Sequence, residues 1–151
     1  MALCFPYGRF RTPLPVVPLG GQSVRPRPVV MVTVVGPIGA VAIDALLDTG
    51  SDDTAFPEKV ASDVGLDLTN APVRYLTGIG PAGYRVRYAD VRLRLTDGIE
   101  YREWPALVVF TDAPLPFATL GFAGGLQFFT ATFHGDREEV ELTVNGLYPG
   151  R

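Results

Sequence analysis

Ala45-Leu46-Leu47-Asp48-Thr49-Gly50-Ser51-Asp52-Asp53-Thr54-Ala55-Phe56 sets one Asp-Thr-Gly directly after an apolar, strand-like stretch. Taken alone the tripeptide is commonly no more than a turn after a strand, since Asp and Gly both suit tight turns. The flanks add to it. Upstream, Val29 to Val35 and Ala40 to Leu47 carry the β-branched, period-two pattern of strands, and Gly36-Pro37-Ile38-Gly39 between them is turn chemistry. A hairpin therefore aims its second strand at Asp48. A carboxylate at the end of a buried strand, in a Gly turn that lets backbone approach backbone, can share a proton with a second carboxylate a few Å away.

The rest of the chain reads mainly as strands. Six of the fourteen prolines precede Val29, which makes residues 1–28 a proline-rich, extended arm without helix. Pro57-Glu58 followed by Val60, Val64 and Gly65 predicts a helix of about two turns. Arg74 to Thr77 is strand-like. Tyr84, Val86 and Tyr88 alternate with arginines, but the apolar phase then switches to Val91, Leu93 and Leu95, which predicts a bulge near Ala89. Ala106 to Phe110 is a further buried strand, and Thr130 to Phe133 with Val140, Leu142 and Val144 closes a hairpin across Gly135-Asp136. Seven or so strands with little helix suit a small closed β-barrel or sandwich-like domain over residues 29–151.

Two more segments carry information. Gly78-Ile79-Gly80-Pro81-Ala82-Gly83 fits the dinucleotide fingerprint Gly-x-Gly-x-x-Gly, whose chemistry needs a helix directly after the glycines. Tyr84 onward has a period of two instead, so the glycines cap a hairpin. Leu115-Pro116-Phe117-Ala118-Thr119-Leu120-Gly121, followed by Gly125 to Phe129, reads on its own as a core strand and turn.

Together the three segments resemble the retropepsins, the retroviral-type aspartic proteases. Leu46 to Asp53 fits their apolar-apolar-Asp-Thr-Gly-Ala/Ser-Asp-Asp/Thr pattern, Gly78-Ile79-Gly80 their flap tip, and the segment ending in Gly121 their apolar-apolar-Gly motif with the short helix after it. The resemblance runs from about Val29 to Phe133. It implies an all-β, small closed acid-protease barrel with one or two short helices, and an aspartic endopeptidase with Asp48 as the catalytic residue. It also implies that Thr49, Gly50 and Ser51 support the active-site loop, Thr49 by hydrogen bonding across a homodimer. Asp52, Asp53, Gly78, Ile79, Gly80, Phe117 and Thr119 would contact a peptide or protein substrate, with the Ile79 amide reaching it through water. Bilobal pepsin-like relatives carry two such loops, whereas here Asp97-Gly98 lacks the middle residue, so a second subunit must supply the second Asp48. The chain departs from the family pattern at Pro81, with about one extra residue in the tip, and at Phe122-Ala123, where retropepsins have an Arg that pairs with the residue equivalent to Asp52. The Ser51 hydroxyl is placed to donate to the outer oxygen of Asp48. The alternative is a catalytically idle relative, a β-barrel that binds peptides or partners and keeps the loop as structure.

Composition excludes other classes. Thirteen basic and sixteen acidic residues, without any basic cluster of the kind that neutralises phosphates, disfavour nucleic acid. No apolar run approaches the roughly 20 residues of a membrane span. Met1 to Phe10 lacks the pattern of a secretory signal, and a lone Cys4 suits a reducing compartment, so a cytoplasmic location is expected. One His and one Cys leave too few donors for a zinc site, and Cys4 with His134 makes a poor nucleophile and base. Asp44, Asp48, Asp52 and Asp53 miss the spacing of a calcium loop, so no metal and no cofactor is expected.

Overall fold

The alternating valines of Val29–Val35 (β4) pair antiparallel with Ala40–Leu47 (β5) in one uninterrupted register, Val29 opposite Leu46 and Val35 opposite Ala40. Val30, Val32 and Val34 point into the core while Met31 faces out. This is the hairpin that the Gly36 to Gly39 turn predicts. A computed structural model describes residues 1–78 and 80–150, the side chains of 75–83 excepted.

The remaining strands are Leu3–Pro6 (β1), Gly8–Val16 (β2), Gln22–Arg27 (β3), Ala55–Pro57 (β6), Val73–Gly78 (β7), Gly80–Thr96 (β8), Tyr101–Thr111 (β9), Ala118–Leu120 (β10), Phe129–His134 (β11) and Glu139–Val144 (β12). The predicted helix is Glu58–Asp63 (α1), which buries Val60 and Ala61. Seven strands pair in the order β4-β5-β10-β6-β9-β8-β7, and a further β4–β8 pairing closes six of them into a hydrogen-bonded ring. Inside it lie Val32, Val34, Phe56, Leu93, Leu95, Trp104, Phe110 and Leu120, all fully buried. The Trp104 indole N–H donates to the Gly124 carbonyl, so its one polar atom is satisfied in the core.

β8 does not carry the bulge expected near Ala89. It pairs with β9 without a break from Val86–Thr111 to Thr96–Tyr101. The apolar phase switches because the strand serves two settings: its first half pairs with β7 and buries Val86, and its second half joins the ring and buries Val91, Leu93 and Leu95 on the opposite face.

The first 28 residues divide between two sheets. β1 pairs antiparallel with β12, which also pairs with β11, and Leu3 and Phe5 pack in the core. β2 and β3 form a separate two-stranded hairpin, turned by the 3-10 segment Val17–Leu19 and two left-handed glycines, Gly20 and Gly21.

Candidate active site

β5 runs out at Leu47, whose N–H donates to the Pro28 carbonyl at 2.9 Å, and the next N–H, that of Asp48, donates to the Leu120 carbonyl of β10 at 3.2 Å. The turn then closes on itself. Ser51 N–H donates to the Asp48 carbonyl at 3.2 Å, and Gly50 N–H donates to Asp48 Oδ1 at 2.9 Å. One carboxylate oxygen is thus held by the backbone of its own loop, which fixes the side chain's direction. Asp48 is half-buried, and Thr49 and Gly50 are exposed.

Three backbone crossings lock this loop to the segment around Gly121. Phe122 N–H donates to the Ser51 carbonyl and Ala123 N–H to the Asp52 carbonyl, each at 2.9 Å, while Thr54 N–H donates back to the Ala123 carbonyl at 3.1 Å. Such crossings require the chains to touch. A Cβ on Gly121 would stand 2.2 Å from the Asp53 carbonyl oxygen and 2.8 Å from that of Ser51, so only glycine fits. This is the physical content of the Leu120-Gly121 motif.

The Ser51 hydroxyl donates to the Asp53 carbonyl at 2.9 Å. Its single proton is therefore not available to Asp48, and the expected donation to the outer carboxylate oxygen is replaced by a brace within the loop.

Asp48 opens onto a cleft of about 380 Å³. Of the residues the sequence points to, Asp48, Gly50, Ser51 and Thr119 line it. Phe117 lines an adjoining recess with Met31 and Asp44; the two spaces share Leu115, and the Phe117 ring meets Phe10 of β2 edge-on at 4.9 Å. Asp52 is exposed, and Asp53 borders a recess with Tyr88 and Leu107. Neither carboxylate has an ion-pair partner among the described residues, in keeping with Phe122 standing where an arginine is usual. Gly78 closes β7 and Gly80 opens β8, and Ile79 lies outside the described residues. Ala55, Tyr84, Val109 and Thr111 complete the cleft walls without having been marked by a motif. Tyr84 had a signal, since it opens the strand that follows the glycine-rich tip.

Among the described residues no group of His, Cys, Asp and Glu side chains is arranged to hold a metal ion, and no helix is long and apolar enough to cross a membrane. The chemistry on offer is that of a carboxylate in an open, partly apolar groove.

The profile of the family described as Aspartyl protease matches residues 30–122, which run from β4 through the Asp48 loop to the Gly121 crossing. The chain belongs to the aspartyl protease family. Among solved structures, the retroviral protease-like domain of Ddi1 from Leishmania major superposes with a TM-score of 0.53 at 15% identity, covering 83% of this chain and 94% of that one. The EIAV protease complexed with the inhibitor HBY-793 aligns with a TM-score of 0.38 at 20% identity, over 63% of this chain and 81% of that one. No curated protein matches. The likeness to the Leishmania domain is one of fold, and this aspartyl protease family member has the retropepsin-like arrangement: mostly strands, one short helix and a single Asp-Thr-Gly loop.

Proposed function

We propose that the protein is an aspartic endopeptidase whose active site is completed by a second copy of the chain, one Asp48 from each subunit meeting across a two-fold axis. The observation that carries this is the Asp48 carboxylate, held through Oδ1 by the Gly50 N–H on the floor of an open groove, inside the segment that matches the family. A single such carboxylate is half of the required chemistry. Two brought within a few Å cannot both ionise readily, so they share one proton. The ionised member takes a proton from water while the protonated member donates to the substrate carbonyl, which gives a tetrahedral intermediate without a covalent acyl-enzyme.

The supporting roles follow from position. Thr49, exposed on the loop, would bond across the two-fold. Gly50 and Thr119 face an extended peptide, which the groove would bind as an added strand. The β7–β8 hairpin, whose strands pair as far as Gly78 and Gly80, serves as a flap over the groove, and Asp52 and Asp53 serve the outer subsites.

The test is hydrolysis of an unfolded protein or peptide library from acid to neutral pH, with and without a pepstatin-type inhibitor, by wild type and by Asp48→Asn. The variant should keep the fold and lose turnover, because an amide can neither share the proton nor activate water. Equal turnover by the two proteins would reject the assignment. Absence of hydrolysis by both, with specific peptide binding retained, would favour the idle binding module.

A further inference from the structure

Charge is distributed very unevenly along this chain. The first 28 residues hold four arginines (Arg9, Arg11, Arg25, Arg27) and no acidic residue, whereas residues 29–151 hold all sixteen acids against nine basic residues. All four arginines lie on the β2–β3 hairpin. Arg9 pairs with Glu138; Arg11, Arg25 and Arg27 have no ion-pair partner among the described residues.

The hairpin is also isolated as a fold element. It pairs with no third strand among the described residues, and its far end exposes Leu14 of β2 by 74% and Val17 of the turn by 82%. A two-stranded ribbon alone in water is marginal, and apolar side chains at the end of such a ribbon are stabilised by whatever covers them. Its roots are beside the active site. β3 leads through Pro28, whose carbonyl accepts from Leu47 N–H just before Asp48, and Phe10 of β2 rests on Phe117 at the border of the cleft. At about 3.3 Å per residue the nine residues of β2 reach ~30 Å, about the width of a small domain.

We propose that the β2–β3 hairpin is an arm that clasps the body of a second copy of this chain, its unpaired arginines set against carboxylates of the partner and its apolar tip covered there. The inference rests on the two-subunit reading of the active site, which places a second copy next to Asp48 and so next to the roots of the arm. Charge complementarity selects this occupant: the arm is wholly basic and the rest of the chain strongly acidic, so two copies attract arm to body in both directions. Asp52, exposed and without an ion-pair partner among the described residues, follows Asp48 on its loop and is the kind of group such an arm would meet. Arginine with apolar anchors is, besides, the composition of interface centres. An acidic peptide substrate is disfavoured as the occupant by Asp48 in the cleft and Asp44 in the adjoining recess.

The experiment is sedimentation equilibrium on the full chain. Wild type should dimerise with a dissociation constant that rises with added NaCl, because the pairing is between charges near the surface. Arg11→Glu/Arg25→Glu/Arg27→Glu should raise that constant by roughly tenfold or more, with the circular dichroism of the subunit unchanged since no strand of the ring pairs with the ribbon. Leu14→Ser/Val17→Ser should weaken the dimer while leaving its salt dependence in place. Asp48→Asn should dimerise as wild type does, which separates assembly from chemistry. A wild-type dimer that is indifferent to salt and to the three charge reversals would overturn the arm and leave the shared active site standing. So would an unchanged dissociation constant accompanied by a raised KM for acid-flanked peptides, which would assign the arginines to substrate. A wild type that stays monomeric at concentrations where it hydrolyses peptide would overturn both.

Discussion

At Asp48 the backbone decides what the side chain can do. Gly50 N–H occupies Oδ1, so the other oxygen is the one left to face a partner carboxylate or water. Ser51 takes no part in that polarity, because its hydroxyl is committed to the Asp53 carbonyl. Ser51→Ala should therefore leave the acid limb of kcat/KM where it is and instead cost about 1 kcal/mol of stability, the usual net worth of one such hydrogen bond. A pH–rate profile and a denaturant melt on the same variant check both halves; an acid limb displaced toward higher pH would mean that the hydroxyl serves Asp48 after all. The positions of Asp48 and Gly121 are legible in the sequence because each is demanded by backbone geometry, a turn in one case and an approach too close for any Cβ in the other. The direction of the Ser51 hydroxyl is not. A serine in a tight loop has several acceptors within reach, and only the folded loop chooses among them.

Strand β8 links the site to the rest of the domain. Near the base of the β7–β8 hairpin, Arg85 binds Glu58 of α1 through two nitrogens at 3.2–3.3 Å, and Arg87 donates to the Leu68 carbonyl at 2.7 Å. These contacts fasten the hairpin to the body just beyond Tyr84, which faces the cleft. Glu58→Gln should loosen that base alone. The pair is partly exposed and so worth at most about 1 kcal/mol, which predicts amide exchange up to a few-fold faster in the hairpin and unchanged in the ring. Uniform acceleration across the ring would show Glu58 to be a general stabiliser instead. Farther along, Glu103 of β9 is held by Arg92 first, then by Tyr101 and Arg94, which bring its carboxyl down to about 2. A depressed carboxyl stabilises the fold above its unfolded value and loses that contribution as pH falls through the folded one. The melting temperatures of wild type and Glu103→Gln should therefore differ at pH 5 and converge toward pH 2; a constant gap would mean that the carboxylate's charge is not what matters. At this scale the sequence is an uneven guide. β4, β5 and α1 are legible because turn residues and periodicity agree. The phase change in β8 reads as a bulge because period two cannot distinguish an extra residue from a strand that buries opposite faces in turn. β1 is hidden among prolines, and the partner that orders it, β12, lies at the other end of the chain.

The cleft as a whole is a product of topology. Ala55, Tyr84, Val109 and Thr111 reach Asp48 from separate parts of the chain, and no local pattern could assemble them. β10 is the element that makes it possible: it lies between β5 and β6, parallel to one and antiparallel to the other, and so carries Thr119 to the cleft and Leu120 to the Asp48 backbone. The chain carries a single Asp-Thr-Gly, and the proposed sharing of Asp48 between two subunits makes protein concentration the variable to test. If the reacting pair is shared, half a pair is not a catalyst, and activity per protomer must follow the fraction of protein in the dimer. Specific activity should then stay flat well above the dimer dissociation constant and fall on dilution through it, with a midpoint that agrees with sedimentation. Substrate or a tight transition-state mimic, bound only by the dimer, should shift that midpoint to lower protein concentration by mass action. Specific activity that stays constant down to concentrations where only monomer sediments would require both catalytic groups to lie within one chain, and Asp48 would then have to find its partner among carboxylates that the Asp-Thr-Gly pattern does not mark.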